Sequence, residues 1–451
     1  MPKGFFVRPV KSLRGKIVLA GDKSISQRAV IVSSISKGTT RIENFLFSDD
    51  CLSTIKAFRS LGIKIETDSN SIVVKGNGLY GLKKPTRPLN LGESATSLRL
   101  LSGLLAAQDF KSILKAAPSL SRRPMRRILE PLRLMGAQIR ARKKKTKNWI
   151  EEFAPLEIKG TKLKPIRYKL PISSAQVKSA ILLAGLYVKG NTQVIEIFKS
   201  RDHTERMLRA FSADIRLDPS MISLSGDKEL STPRLIKIPA DISSAAFFIV
   251  GSTIIEGSEI LISSVGVNPT RAGVLNVLKR MGADIRLFYH PEKITGAEPV
   301  ADILVKASQL KATLIDCPEI PAVIDELPII MVAACFAKGN TIIRGVEELR
   351  VKETDRINSM VTNLSLMGGQ IKVRKFTQSD SGAKAFEREE IIISGPTKLE
   401  ASRVSSFSDH RTAMSMIIAG LAAKGNTVID EISCISKSFP NFIQTLDKVK
   451  N

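Results

Sequence analysis

Apolar stretches rich in Ala, Leu, Ile and Ser recur along the chain, each stopping at a Lys-Gly or Glu-Gly step and giving way to a short polar-to-β-branched stretch. Copies run from Ser33 to Ile42, Leu182 to Val194 around Lys189-Gly190, Val250 to Ile262 around Glu256-Gly257, Val332 to Ile343 around Lys338-Gly339, and Ile418 to Ile429 around Lys424-Gly425. A sixth, degraded copy spans Leu101 to Leu114, with Gln108-Asp109 in place of the glycine stop. Glycine just past a helix takes the left-handed cap, and the Thr, Ile and Val that follow suit a strand, so each copy predicts a helix, a turn and a strand. A second signature interleaves with the first, at Ser60 to Ile65, Leu134 to Ile139, Phe211 to Ile215, Met281 to Ile285 and Leu366 to Ile371. Each of these also reads as a helix end turning into a strand. The alternation defines a repeating unit of two strand-helix pairs plus a closing strand, present about six times and dividing into two groups of three.

Length agrees with that division, since 451 residues exceed what one ordinary core accommodates. The apolar fraction is 43%, yet the apolar runs stop well short of the ~20 residues of a membrane span, so no span is expected. The opening Met-Pro-Lys-Gly-Phe-Phe-Val runs straight into Arg8 and Lys11 without the apolar core of a secretory leader, which implies a cytoplasmic home. Four scattered cysteines (Cys51, Cys317, Cys335, Cys434) and three histidines argue against a zinc cluster and for buried, inert thiols. The charge of +26 favours anionic partners. Nucleic acid fits poorly: the longest basic run, Arg140 to Lys147, reads as a solvated loop, and only Trp149 lies near it to stack on bases.

Candidate chemistry begins at Gly21-Asp-Lys-Ser-Ile-Ser-Gln-Arg28, between the strand-like Lys16 to Ala20 and an apolar helix from Ala29 to Ser34. A tight turn carrying Lys23 and Ser24 at a helix start aims N–H groups and a cation at one spot, which suits phosphate or carboxylate, although a structural turn reads the same way. The spacing is not that of a nucleotide phosphate loop. Further cationic clusters sit beside turn residues at Ser121-Arg-Arg-Pro-Met125, Ser200-Arg-Asp-His-Thr-Glu205, Asn268-Pro-Thr-Arg271, Leu349 to Arg356 and Ser408 to Met414. Singly, each is equally a surface ion pair. With the polar turn Pro171 to Lys178, together they point to small multi-anionic substrates held by arginine forks. Adjacent carboxylates at Asp325-Glu326, just before the apolar run from Pro328 to Ala337, offer a desolvated general base, with helix capping by Asp325 as the structural alternative.

In order, Gly-Asp-Lys-Ser-Ile-Ser (21–26), Arg-Pro-Met (123–125), Ser-Ala-Gln-Val-Lys-Ser-Ala-Ile-Leu-Leu-Ala-Gly-Leu (174–186), Ser-Arg-Asp-His-Thr-Glu-Arg-Met-Leu (200–208) and Glu-Glu-Leu-Arg-Val-Lys-Glu-Thr-Asp-Arg (347–356) resemble the 5-enolpyruvylshikimate-3-phosphate synthase family, along essentially the whole chain. Their style is similar to its bacterial second class, which often tolerates glyphosate. The resemblance implies two inside-out α/β domains of three βαβαββ repeats each, with the active site in the interdomain cleft. It places residues 1–21 and 239–451 in one domain and 22–238 in an inserted one. The implied reaction moves the enolpyruvyl group of phosphoenolpyruvate to the 5-hydroxyl of shikimate-3-phosphate and releases phosphate, a step toward chorismate and the aromatic amino acids. Neither metal nor organic cofactor is implied, and the expected state is a monomer.

By the same resemblance, Lys23, Ser24, Arg28, Ser174, Gln176 and Arg201 would bind shikimate-3-phosphate, with Asp325 and Lys352 completing its contacts. Arg123, Arg356 and Arg411 would hold phosphoenolpyruvate, with Lys23, Gln176, the backbone at Ala95, and Lys437, a cation found in only part of the family. Asp325 is the implied base, and Glu353, with Lys352 and Lys23, the implied proton-handling groups. The chain departs from the family pattern at Gly92-Glu-Ser-Ala-Thr-Ser-Leu-Arg99, where Glu93 replaces asparagine and Ala95 replaces glycine, at Ala116 to Leu120, and at Gln27 in place of histidine. Glu93 would oppose a nearby anion unless Arg99 or another cation pairs with it.

Overall fold

The computed structural model describes residues 4–146, 149–290, 298–378 and 386–451. A fully contiguous example of the repeat runs through strand Leu89–Asn90, helix Ala95–Ala106, strand Lys111–Lys115, helix Arg126–Leu134 and the hairpin strands Gln138–Lys145 and Ile150–Lys159. Its first strand pairs parallel with the second, and the second pairs antiparallel with the last, which pairs back onto the third. The same order recurs in Arg167–Lys169, Asn191–Ile195, Met221–Ser225 and Asp214–Leu217. It recurs again in Leu314–Ile315, Gly339–Arg344, Phe386–Gly395 and Gln370–Gln378.

Two sheets take their first strand from far along the chain. Strand Arg14–Val18 lies parallel to Glu259–Gly266, and Leu230–Ser231 with Leu235–Lys237 lies parallel to Ser36–Glu43. The last sheet is reduced to three strands, Phe5–Val7, Thr427–Ile429 and Arg403–Val404, with the chain's first strand at its edge. The chain thereby divides into two units: Met1–Leu19 with Ala240–Pro291 and Pro299–Asn451, and Ala20–Pro239 with Glu292–Glu298.

Within each unit the helices are of two kinds. Lys23–Ser34, Ala95–Ala106 and Ala175–Gly185 in one unit, and Ile242–Ile254, Leu327–Cys335 and His410–Ala422 in the other, are buried along most of their length. Helices apolar or small on every face have no wet side and must sit inside. The second helix of each repeat, such as Arg126–Leu134 or Gly273–Arg280, buries one face only. Sheets cover the inner helices and alternate buried with exposed residues, as in Lys111–Lys115. Helices inside and sheets outside is the inside-out α/β arrangement. Close helix packing requires a glycine at Gly103, where a Cβ would lie 2.1 Å from the carbonyl oxygen of Ala180.

All six helix-turn-strand signatures and all five helix-end signatures coincide with helix ends followed by strands. Local details differ from the sequence reading. The first inner helix starts at Lys23 rather than Ala29, because the Asp22 carboxylate accepts from the Ile25 N–H at 2.9 Å and so caps it there. Lys23 and Ser24 therefore ride on the first helical turn. The basic run is mostly a strand, Gln138–Lys145, and not a loop. Its partner strand sets Glu157 opposite Arg140, Glu152 opposite Lys143 and Glu151 opposite Lys144, so cross-strand charge stabilises it. Its last residue, Lys147, lies outside the described residues. The four cysteines are buried and form no disulfide, and burial pushes the thiols of Cys51, Cys335 and Cys434 up to about 12. Among the described residues, no helix is long and apolar enough to cross a membrane.

Candidate active site

Half of the candidate residues stand at helix N-termini, where unpaired N–H groups and the helix dipole favour anions. Lys23, Ala95 and Arg356 are each the first residue of a helix, Arg411 is the second residue of His410–Ala422, and Ser174 precedes Ala175–Gly185. Short polar residues fix those starts: Ser94 accepts from the Ser97 N–H, Asp355 from Asn358, and Asp409 from Arg411 and Thr412.

In the unit holding Ala20–Pro239, Arg28 ties three elements together. Its side chain donates to the Thr204 hydroxyl at 2.7 Å, the Ser179 hydroxyl at 3.2 Å and the Ser24 carbonyl at 3.0 Å. It thereby links the helix of Lys23 and Ser24, the helix opened by Ser174 and Gln176, and the helix that follows Arg201. Burial lowers its pKa to about 10, only partly offset by Glu205, and it stays charged at neutral pH. The Lys23 ammonium donates to Asp50 at 3.0 Å. Gln176 accepts from Arg99 and donates to the Thr96 hydroxyl at 3.2 Å, which places it against the turn of Ala95. Glu93 accepts from the Ser119 hydroxyl, so its carboxylate is held by the Ala116 to Leu120 segment while Arg99 turns to Gln176. Two of the three departures from the family pattern, at 92–99 and 116–120, therefore touch each other. Arg123 follows the 3₁₀ turn Leu120–Arg122 just beyond that contact.

In the other unit, Asp325, Glu353, Arg356 and Arg411 form one cluster. The Arg356 guanidinium is 1% exposed and meets Asp409 at 2.9 Å, Glu353 at 2.6 Å and Asp325 at 3.4 Å. Burial alone would lower its pKa, but Asp409, Glu353 and Asp325 outweigh that and hold it above its ordinary value. Arg411 donates to the Asp325 carbonyl at 2.7 Å and approaches the Asp325 carboxylate at 3.8 Å. Asp325 does not cap the following helix. That position is held by Glu326, whose carboxylate bonds instead to Arg271 at 2.7 Å and Ser243 and lies 3.5 Å from Arg411. Lys352 follows the 3₁₀ turn Glu347–Val351, beside Glu353, while half-buried Lys437 closes a separate 3₁₀ turn, Ser433–Lys437.

Asp50, Glu326 and Asp409 carry these arrangements; Asp50 and Asp409 were not singled out as site residues from the sequence, and Glu326 was read only as one of two candidate bases. The signal for Glu326 and Asp409 was their adjacency to Asp325 and Arg411; Asp50, in an ordinary-looking helix start, had none. Chemically, the second cluster offers buried arginine forks for a carboxylate or phosphate, with carboxylates beside them able to take up or give a proton.

Comparison with known proteins identifies the family. Residues 7–446 match the family described as EPSP synthase (3-phosphoshikimate 1-carboxyvinyltransferase). Relatives named 3-phosphoshikimate 1-carboxyvinyltransferase include one from Geobacter sp. (strain M21), 47% identical with 99% of each chain covered, and one from Brevibacillus brevis, 45% identical over 98% of this chain and 99% of that one. The solved structure of EPSP synthase from Acinetobacter baumannii superposes with a TM-score of 0.83 at 42% identity, covering 99% of this chain and 98% of that one. The enolpyruvyl transferase NikO from Streptomyces tendae, 17% identical, covers 99% of this chain and 98% of its own with a TM-score of 0.73 and shares the fold. The chain belongs to the EPSP synthase family.

Proposed function

We propose that this enzyme transfers the enolpyruvyl group of phosphoenolpyruvate to the 5-hydroxyl of shikimate-3-phosphate and releases phosphate, the shikimate-pathway step of its family. The observation that carries the reading is the Asp325–Arg356–Arg411 cluster, buried arginine forks beside a carboxylate, in a chain matching the family over residues 7–446. Shikimate-3-phosphate is bound by Lys23, Ser24, Arg28, Ser174, Gln176 and Arg201, with Asp325 and Lys352. Phosphoenolpyruvate is held by Arg123, Arg356 and Arg411, with Lys23, Gln176, Ala95 and Lys437.

The hydroxyl adds to C2 of phosphoenolpyruvate as its proton passes to Asp325, while C3 gains a proton from the Glu353, Lys352 and Lys23 set. Loss of a proton from C3 then expels phosphate from the tetrahedral intermediate and restores the double bond. Fixed cations around carboxylate and phosphate stabilise the charge that builds up, which commonly supplies a large share of the rate. The proposal includes the domain division 1–21 with 239–451 and 22–238, and a monomer acting in the cytoplasm. Mixing the chain with both substrates and following phosphate release tests the function. No phosphate above a control lacking shikimate-3-phosphate would overturn it.

A further inference from the structure

Resting on that functional reading, we propose that Lys178 is a positioning residue for the shikimate-3-phosphate grip, acting through a buried charge network with Glu196 and Glu205. Its ammonium has three donors and meets three acceptors, two from the loop that follows strand Asn191–Ile195 and one from the helix His203–Ala210: Glu205 at 2.7 Å, Glu196 at 2.8 Å and the Ser200 carbonyl at 3.3 Å. The side chains of Lys178, Glu196 and Glu205 are 1%, 4% and 1% exposed. Burial alone would lower the lysine pKa, but the two carboxylates outweigh it and hold the ammonium charged.

The network has a direction. Glu196 accepts from the Ser200 N–H at 3.2 Å and from its hydroxyl, so with Lys178 on the carbonyl every polar group of Ser200 is fixed. The next residue is Arg201. On its other side, Glu205 adjoins Thr204, whose hydroxyl takes the Arg28 guanidinium at 2.7 Å and pairs at 2.6 Å with Ser179, the neighbour of Lys178. Two arginines assigned to shikimate-3-phosphate are thus oriented by a group that does not touch it. Arg28 and Lys178 against Glu196 and Glu205 sum to zero charge, which lets the network stay buried.

Lys178→Met is the direct test, and because it strands two carboxylates it is paired with Lys178→Met/Glu205→Gln, which removes one charge of each sign and so restores charge balance. In whichever variant folds by circular dichroism, the shikimate-3-phosphate KM is expected to rise at least about tenfold, since mispositioning costs affinity steeply, while the phosphoenolpyruvate KM stays within about twofold. A folded, active double variant with an unchanged shikimate-3-phosphate KM, or with both constants raised equally, would overturn the proposal alone. Failure of the wild-type chain to release phosphate would overturn the functional reading beneath it.

Discussion

Asp325 is held at both carboxylate oxygens by arginines, 3.4 Å from Arg356 and 3.8 Å from Arg411. If it takes the hydroxyl proton, Asp325→Ala lowers kcat by about 10²–10⁴-fold, the usual contribution of a general base, while shikimate-3-phosphate still binds by calorimetry. A variant keeping half of the wild-type turnover would end that assignment. Arg411→Lys keeps the charge but loses the planar fork, so the phosphoenolpyruvate KM should rise about tenfold with little change for shikimate-3-phosphate. Equal effects on both substrates would mean that Arg411 only supports the fold. Ala95 begins its helix at 9% exposure, beside the Thr96 that Gln176 contacts. Its methyl group should crowd glyphosate, which is longer than phosphoenolpyruvate, at a cost of roughly 1–3 kcal/mol. Ala95→Gly is therefore expected to increase glyphosate sensitivity severalfold without raising the phosphoenolpyruvate KM, and identical inhibition curves would remove the methyl as a cause.

Among the elements, the helix His410–Ala422 couples stability to the site through one residue. Asp409 caps it, accepting from Arg411 and Thr412, and its other oxygen holds Arg356 at 2.9 Å with no exposure of its own. Removing it loses a cap worth about 1 kcal/mol and leaves a buried guanidinium short of a partner, so Asp409→Ala should destabilise the chain by about 3–5 kcal/mol in urea unfolding. Asp409→Asn keeps an acceptor for the cap and should recover only the smaller part. If the two variants unfolded alike, the cap would contribute nothing, and an Asp409→Asn variant as stable as the wild type would show that the ion pair with Arg356 contributes nothing.

For the whole molecule, acid stability follows from carboxylates held by arginines. Hydrogen bonds from Arg133 hold Glu152 below its ordinary value of 4.5, against the opposing effect of burial. At Glu390 burial alone would raise the value, but Arg344 and Arg374 reverse it and hold it below 4.5. With folded values depressed, the unfolded chain binds more protons, so this stability is fully present above 4.5 and is lost as the pH falls through the lower folded values. The melting temperature should stay level down to about pH 5 and drop below about pH 4.5. In Glu390→Gln that acid drop should shrink, and an unchanged profile would show that other groups carry it.

The alternation of helix stops and strand starts was readable along the chain because glycine caps, β-branched residues and all-apolar helices act within a few residues of themselves. That local chemistry determined the repeat and its six helix-turn-strand copies, and the ordered motifs determined the family. Other features needed the folded chain. The basic stretch at Gln138–Lys145 is a strand because Glu151, Glu152 and Glu157 lie across from it, whereas the helix start at Lys23 follows from a local Asp22 cap that the sequence already carried. Asp50 beneath Lys23, Asp409 behind Arg356 and the carboxylates around Lys178 come from segments distant in sequence. Pairing of buried charges depends on distances of a few ångströms between such segments, and only tertiary packing sets those distances.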